Sequence, residues 1–316
     1  MIQIYKKSSK KNKSLRLSEL NKPVSGCWVN VVAPTSEEIS ILEKKFNIPS
    51  YIVENILDPD SMPRLEKEAE KGLSLLMLRV PFRAEGFSTV TLPFGMVVLS
   101  KKNYFVTICS EKVGPVEKII FKSQNGFCTD NKAIFFNMLL KNVIKSYMKE
   151  LNFIEHEINE AEVSIRDSFQ NKEIIQLLSL QKTLVYFRTG VVGNRTVLNK
   201  IFSSRLFSLN DDEKELLEDS IVDMNEAYQL VEIYAQIIVN TMSAYTSIVS
   251  NNFNTILRFL ALVTVAISIP TMVASFYGMN IALPLQGTEY SFLVVISIAL
   301  IATLAVLVAF KYKKLI

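Results

Sequence analysis

The sequence has one histidine, His156, and three cysteines, Cys27, Cys109 and Cys128. A single histidine cannot supply a His-based metal shell, and the cysteines lack the spacing of a zinc site. An odd, dispersed set reads as unpaired thiols of a reducing compartment. Glycine is scarce, at 10 of 316 residues. No run of it resembles a phosphate-cradling loop, and no Ser/His/Asp set can be assembled. The expectation is that the chain is not an enzyme and uses no organic cofactor. A net charge of +4 is too small a surplus to mark a nucleic-acid surface. The Lys-rich start (Lys6, Lys7, Lys10, Lys11, Lys13) reads as a solvated or headgroup-attracted tail, and without an apolar core it does not read as a cleaved leader.

Charge itself is absent from one region. Between Phe259 and Phe310 the only charged residue is Glu289. Phe259–Phe276 and Ser291–Phe310 are runs of about 18 and 20 uncharged residues, long enough to cross a bilayer core with their flanks. A buried soluble hairpin is the competing reading. Arg258 precedes the first run and Lys311, Lys313 and Lys314 follow the second, while the connecting loop has no Lys or Arg. By the positive-inside tendency both termini are cytoplasmic and the loop faces outward, in a multi-pass protein of the plasma membrane surrounded by lipid.

Upstream, Cys27–Val32, Leu73–Val80, Phe94–Leu99 and Tyr104–Ile108 read as strands, with a tight hairpin at Lys101-Lys102-Asn103. Thr35-Ser36-Glu37-Glu38 reads as a helix start, and Asp58-Pro59-Asp60 as a breaker. The pattern predicts an α+β or α/β domain with a mixed sheet. Helical periodicity then takes over: about Asn131–Phe169, Lys172–Ser203, and a third helix capped by Asp211 and Asp212. Leu217, Ile221, Met224, Tyr228, Val231, Ala235, Ile238, Met242, Tyr245, Val249 and Asn252 form a heptad seam over about five heptads, roughly 50 Å. It serves either as packing within one chain or as a stalk around a symmetry axis. Three parts follow: 1–130, an α/β cytoplasmic domain; 131–254, long helices and stalk; and 255–316, two membrane spans at about 256–277 and 291–310.

The outer end of the first span is Tyr277-Gly278-Met279-Asn280. Two crossings cannot enclose a pore, so a pore needs several chains. A ring of Asn280 side chains offers uncharged carbonyl oxygens, suited to holding a hydrated Mg2+ by its water shell. Gly278 allows close approach of backbones. Ordinary C-capping explains the same residues equally well. Pro270, inside the span, marks either a packing kink or a gate.

These residues resemble the CorA family of magnesium transporters. Besides Gly278-Met279-Asn280, the resemblance rests on Leu57-Asp58-Pro59-Asp60 with Pro63–Lys67, Gln181–Arg188 and Ser250-Asn251-Asn252-Phe253-Asn254, and covers roughly residues 25–316. It implies a homopentameric funnel: an α/β cytoplasmic domain, a long stalk helix continuing into the pore-lining span, and an outer second span. It implies a selectivity filter at Gly278, Met279 and Asn280, with Thr271, Leu260 and Asn254 lining the pore. It further implies that Mg2+ is both substrate and regulatory ligand. Entry is driven by about 2.3 kcal/mol per charge per 100 mV, and cytoplasmic Mg2+ between subunits holds the pore closed. Asp219 matches a regulatory acid; Glu85 is the nearest candidate for its partner. Two departures stand out: the outer loop keeps Glu289 as its one acid, and a pore acid is replaced by Ser243. A cobalt, nickel or zinc transporter on the same scaffold is the alternative cargo reading, and a non-conducting membrane-anchored scaffold the alternative class.

Overall fold

Alternating Val, Ile and aromatic residues make strands where both faces can be covered. In this chain they assemble into a mixed sheet. The structure, a computed structural model, describes residues 1–6, 18–19, 22–68, 72–83, 89–99, 104–121, 129, 131–167, 171–203, 210–281, 284 and 290–312. The hairpin expected at Lys101-Lys102-Asn103, Cys128, Glu85 and Glu289 lie outside them. The chain divides into two units, Met1–Thr241 and Met242–Ile316.

The first unit holds β1 (Ile2–Lys6), β2 (Ser18–Glu19), β3 (Trp28–Val32), α1 (Ser36–Ile41), α2 (Ser50–Leu57), β4 (Arg64–Glu68), β5 (Leu73–Arg83), β6 (Thr89–Leu99), β7 (Tyr104–Cys109), α3 (Gly114–Phe121), α4 (Lys132–Asp167) and α5 (Asn171–Ser203). The sheet order is β2-β1-β3-β7-β6-β5-β4, with β3 and β7 parallel and every other pair antiparallel. Val29, Val31, Val106 and Ile108 face Leu42, Phe46, Ile52 and Ile56 of the α1–α2 side. On the opposite face Trp28 and Phe105 meet Phe135 of α4, each at 5.0 Å between ring centres.

Three strands escaped the sequence reading. The Lys-rich start is not a free tail at its first residues: Ile2–Lys6 pairs with β3, and the Lys6 ammonium donates to the Ser25 carbonyl at 2.9 Å. Charged edge strands such as β4, Arg-Leu-Glu-Lys-Glu, carry little apolar periodicity because one side of an edge meets solvent. The expected helix start at Thr35 is a capping box, Thr35 and Glu38 each accepting from the other's backbone N–H. Asp58 ends α2 as expected.

β5 and β6 run longer than their apolar cores because Pro81 and Pro93 do not end them. β4 begins at Arg64, opposite Met77, so at Arg79 β5 pairs with β6 alone and its other side is open. Asn194 of α5, fully buried, takes both groups of that peptide: its Oδ1 accepts from the Arg79 N–H and its Nδ2 donates to the Arg79 carbonyl, each at 2.8 Å. The Tyr147 hydroxyl of α4 donates to the same carbonyl at 2.9 Å. Pro81, two residues on, has its missing N–H directed to that same open side, where no ladder bond is lost. The Arg79 guanidinium, 8% exposed, donates to Thr91 Oγ1 and O and to the carbonyls of Pro59 and Ser61, joining β6 and the Asp58–Ser61 turn. A Cβ at Gly190 would lie 2.5 Å from the Tyr147 hydroxyl, and one at Gly193 2.6 Å from Pro63. Glycines one turn apart therefore let α5 close on the sheet.

α6 (Asp211–Tyr277) is one helix of 67 residues that crosses from the first unit into the second. Its cap is Asn210, not the expected Asp211 and Asp212. Asn210 Oδ1 accepts from the Glu213 N–H at 2.8 Å, and Glu213 accepts from the Asn210 N–H. The two aspartates occupy the first turn, where they suit the dipole. The buried stripe is Glu213, Leu217, Ser220, Met224, Ala227, Val231, Tyr234 and Ile238. It shares Leu217, Met224, Val231 and Ile238 with the expected seam, but Ile221, Tyr228 and Ala235 lie one residue off it. Small Ser220 and Ala227 face inward and Tyr228 turns out under Arg195, 4.6 Å from its ring centre. Packing within the chain thus accounts for the seam as far as Ile238; Glu162 of α4 and Arg188 of α5 bind Thr241 and Glu232.

The second unit comprises the rest of α6 and α7 (Ser291–Tyr312). Both carry stretches long and apolar enough to cross a membrane. Ala299 is the only buried residue among those described there.

Asn194→Ala leaves the Arg79 N–H unsatisfied and the Arg79 carbonyl with the Tyr147 hydroxyl as its remaining donor. It should cost about 1–3 kcal/mol, read as a lowered unfolding midpoint by the fluorescence of Trp28, the only tryptophan. A shift under about 0.5 kcal/mol would contradict the pairing. Burial raises the Cys27 thiol pKa and pushes that of Cys109 up to about 11. The thiolate is the nucleophile, so at pH 8 neither should be alkylated by iodoacetamide until the protein unfolds; mass mapping of native and urea-treated samples checks this.

Candidate functional site

A helix in an apolar phase keeps its backbone bonds internal, so only side chains distinguish its faces. Along the second half of α6, Ser243, Ser247, Ser250, Asn254, Thr264, Ser268, Thr271 and Ser275 are all exposed. At about 100° per residue they fall within about 60° on either side of Ser268. Asn251, Asn252, Thr255 and Arg258 lie off this arc, but from Phe259 to Phe276 the remaining circumference is apolar, with Phe259 at 67% and Ile267 at 63% exposure. Within that run Thr264, Ser268, Thr271 and Ser275 form one polar stripe on an otherwise apolar rod.

The hydroxyls are oriented by their own helix. Thr264 Oγ1 donates to the Leu260 carbonyl at 2.8 Å, Thr271 Oγ1 to that of Ile267 at 2.7 Å, and Ser247 Oγ to that of Ser243 at 3.1 Å. Each proton is committed inward, so the oxygen offers lone pairs outward. Such a row accepts hydrogen bonds from water and attracts cations without carrying charge. Pro270 sits inside the helix without breaking it, and without its N–H the Ala266 carbonyl loses its helical donor.

Of the residues singled out from sequence, Asn254 and Thr271 lie in this arc, and Leu260 lies at its edge, about 80° from Ser268. Ser243 and Ser250 were noted without being placed on the stripe. Ser247, Thr264, Ser268 and Ser275 were missed, although their four-and-three spacing inside an apolar run was the available signal.

Gly278, Met279 and Asn280 follow the last helical residue and are exposed. The Gly278 N–H bonds Ala274 O at 2.9 Å and the Met279 N–H bonds Phe276 O at 3.2 Å, tightening the final turn. Gly278 does not have the positive φ of a left-handed capping glycine; among the described glycines only Gly26 and Gly72 do. A Cβ on it would meet only Ala274 O at 3.3 Å and Ser275 O at 3.6 Å. Among the described residues the approach to the Ala274 carbonyl is the one contact that bears on the choice of glycine there. The Tyr277 hydroxyl reaches Pro284 O at 3.4 Å, drawing the following loop back to the helix end.

Asp219 is exposed on α6 in the first unit, on a face shared with Asp212, Glu215, Asp223 and Glu226. Among the described residues none of these five has a cationic partner within 4 Å, and no group of three metal-ligating side chains converges. The proposed partner Glu85 lies outside the description.

Comparison with known proteins agrees with this architecture. A family profile described as "CorA-like Mg2+ transporter protein" matches residues 25–314. The cobalt/magnesium transport protein CorA of Methanocaldococcus jannaschii is 25% identical over 289 residues, covering 90% of this chain and 89% of that protein. The magnesium transport protein CorA of Campylobacter jejuni strain RM1221 is 22% identical over 316 residues, covering 92% and 91%. The complete structure of the M. jannaschii CorA magnesium transporter superposes with a TM-score of 0.84 at 22% identity, over 98% of this chain and 97% of that one. With the match running from β3 to the end of α7, the chain belongs to the CorA-like Mg2+ transporter family.

Proposed function

We propose that several copies of this chain, five by analogy with the family, form a channel admitting Mg2+ down its electrochemical gradient, with Co2+ as a second cargo. The observation that carries this reading is the exposed stripe of hydroxyl and amide oxygens on a helix able to cross a membrane. Copies packed with their stripes inward enclose a path lined by acceptors and present apolar residues to lipid. Both termini are cytoplasmic in this reading, and residues 255–316 form the conducting part.

At the outer mouth, Asn280 supplies carbonyl oxygens to the water shell of the ion, Gly278 permits close approach of neighbouring helix ends, and Met279 completes the filter. Thr271, Leu260 and Asn254 line the passage below it. Mg2+ sheds water reluctantly and prefers oxygen, so a neutral, wide ring suits the hydrated ion better than a tight anionic cage. Relatives named for cobalt/magnesium and for magnesium transport support this choice of cargo.

The acidic face around Asp219 supplies the regulation. Rows of carboxylates on adjacent copies repel one another, and divalent cations between them, held by Asp219 and by Glu85, relieve that repulsion. Filled sites hold the assembly closed; empty ones loosen it. Glu289 stands on the outer side as the loop's one carboxylate.

Asn280→Ala should lower Mg2+ flux into proteoliposomes at least about tenfold, about 1.4 kcal/mol of barrier, with the oligomer intact by size-exclusion. Unchanged flux would remove the filter assignment, and absence of flux in the parent protein would favour a scaffold. Asp219→Asn should raise the internal Mg2+ concentration needed to stop flux, measured by titrating Mg2+ inside the vesicles; an unshifted titration would remove Asp219 from the regulatory site.

A further inference from the structure

A second polar cavity lies in the first unit, independent of the conduction pathway. It is half-open, about 270 Å3 in volume, and bounded by the end of β5, the start of β6, the first turn of α3 and one face of α4. Arg83, Lys112, Lys118 and Lys149 line it, and Glu150 is its one carboxylate.

The charges are arranged to favour an anion. Glu150 is held against the wall, its Oε2 accepting from Thr89 Oγ1 at 3.0 Å. The Arg83 guanidinium carbon lies over the Phe153 ring, 4.5 Å from its centre, a contact that holds the side chain at the cavity wall. Neither Arg83, Lys112 nor Lys149 has a carboxylate within 4 Å among the described residues. The first turn of α3 adds the positive end of its dipole. In that turn Val116 and Glu117 already donate to Val113 O and Pro115 has no N–H, so Gly114 supplies the free amide, with nothing within 4 Å of its Cβ position.

We infer that this cavity binds a phosphate-bearing anion. Among the described lining residues, Arg83, Lys112 and Lys149 against Glu150 leave a formal charge of +2, which matches the charge of about −1.5 to −2 on a phosphate group. The concave wall, with cations from three elements, focuses the potential in a way that scattered surface lysines do not. A soluble polyphosphate, such as a nucleoside triphosphate, and a phosphorylated lipid headgroup share this chemistry.

The test uses the full chain in detergent with EDTA. Tripolyphosphate, ATP and a short-chain phosphoinositide bisphosphate are titrated calorimetrically at constant ionic strength, with sulfate as the screening control. Saturable binding at one site per chain is expected. Lys112→Gln/Lys149→Gln should weaken it at least about tenfold and Arg83→Gln about threefold, while Lys182→Gln/Lys200→Gln on α5 should change it less than about twofold. Unchanged Trp28 fluorescence verifies the fold of each variant. Binding of the phosphoinositide alone assigns the site to a lipid headgroup, and binding of the soluble probes alone to a free polyphosphate. Absence of saturable binding by all three, a match by sulfate, or equal losses in both double variants overturns the inference.

Discussion

The oxygen stripe on the second half of α6 has no cover within its own chain, and that constraint governs the proposed function. Hydroxyls left in hydrocarbon without partners cost several kcal/mol each, and the bonds of Thr264 and Thr271 to their own helix satisfy only the protons. The outward lone pairs need water, a cation or another polar surface. The flanking Phe, Ile and Leu side chains need the opposite. One helix cannot meet both demands at a single interface, and the proposed assembly answers this with lipid on one side and an aqueous, protein-walled space on the other. α7 contributes apolar surface, with Phe292 at 74% and Leu304 at 66% exposure, and no oxygen row of comparable length.

α6 is also two helices in energetic terms. As far as Ile238 it is a core element, its buried stripe set by small Ser220 and Ala227 and tied at its start by Asn210 and Glu213. From Met242 onward none of its described residues is buried. The first unit is stiffened by the Arg79 cluster, where one buried guanidinium, the Asn194 amide and the Tyr147 hydroxyl join two strands, a turn and two helices. Gly190 and Gly193 are the conditions for that closeness.

Much of this was legible in the sequence. Four strands, the Thr35 box, the Asp58 breaker, the three long helices and the two apolar stretches announce themselves through periodicity and capping chemistry. The edge strands β2 and β4 do not, because an edge is half-solvated and reads as charged loop, and β1, beside the two-residue β2, runs into the Lys-rich start. The true register of the α6 stripe was hidden because Ile221 and Tyr228 are more hydrophobic than the Ser220 and Ala227 that pack; close approach selected size over hydrophobicity. The proposed mouth at Gly278-Met279-Asn280 could not be chosen from its residues alone, since the tripeptide is equally a helix ending; the family resemblance favoured it. The absence of a left-handed glycine there is something only backbone geometry could supply.

The most direct test of the central claim is the mass of the intact assembly, measured by native mass spectrometry of the full chain released from lipid nanodiscs. The account predicts a single closed oligomer of several 35.8 kDa chains, which falls apart when Ser268 and Thr271 on the stripe are both replaced by leucine. A monomer, or an oligomer indifferent to those replacements, would contradict it.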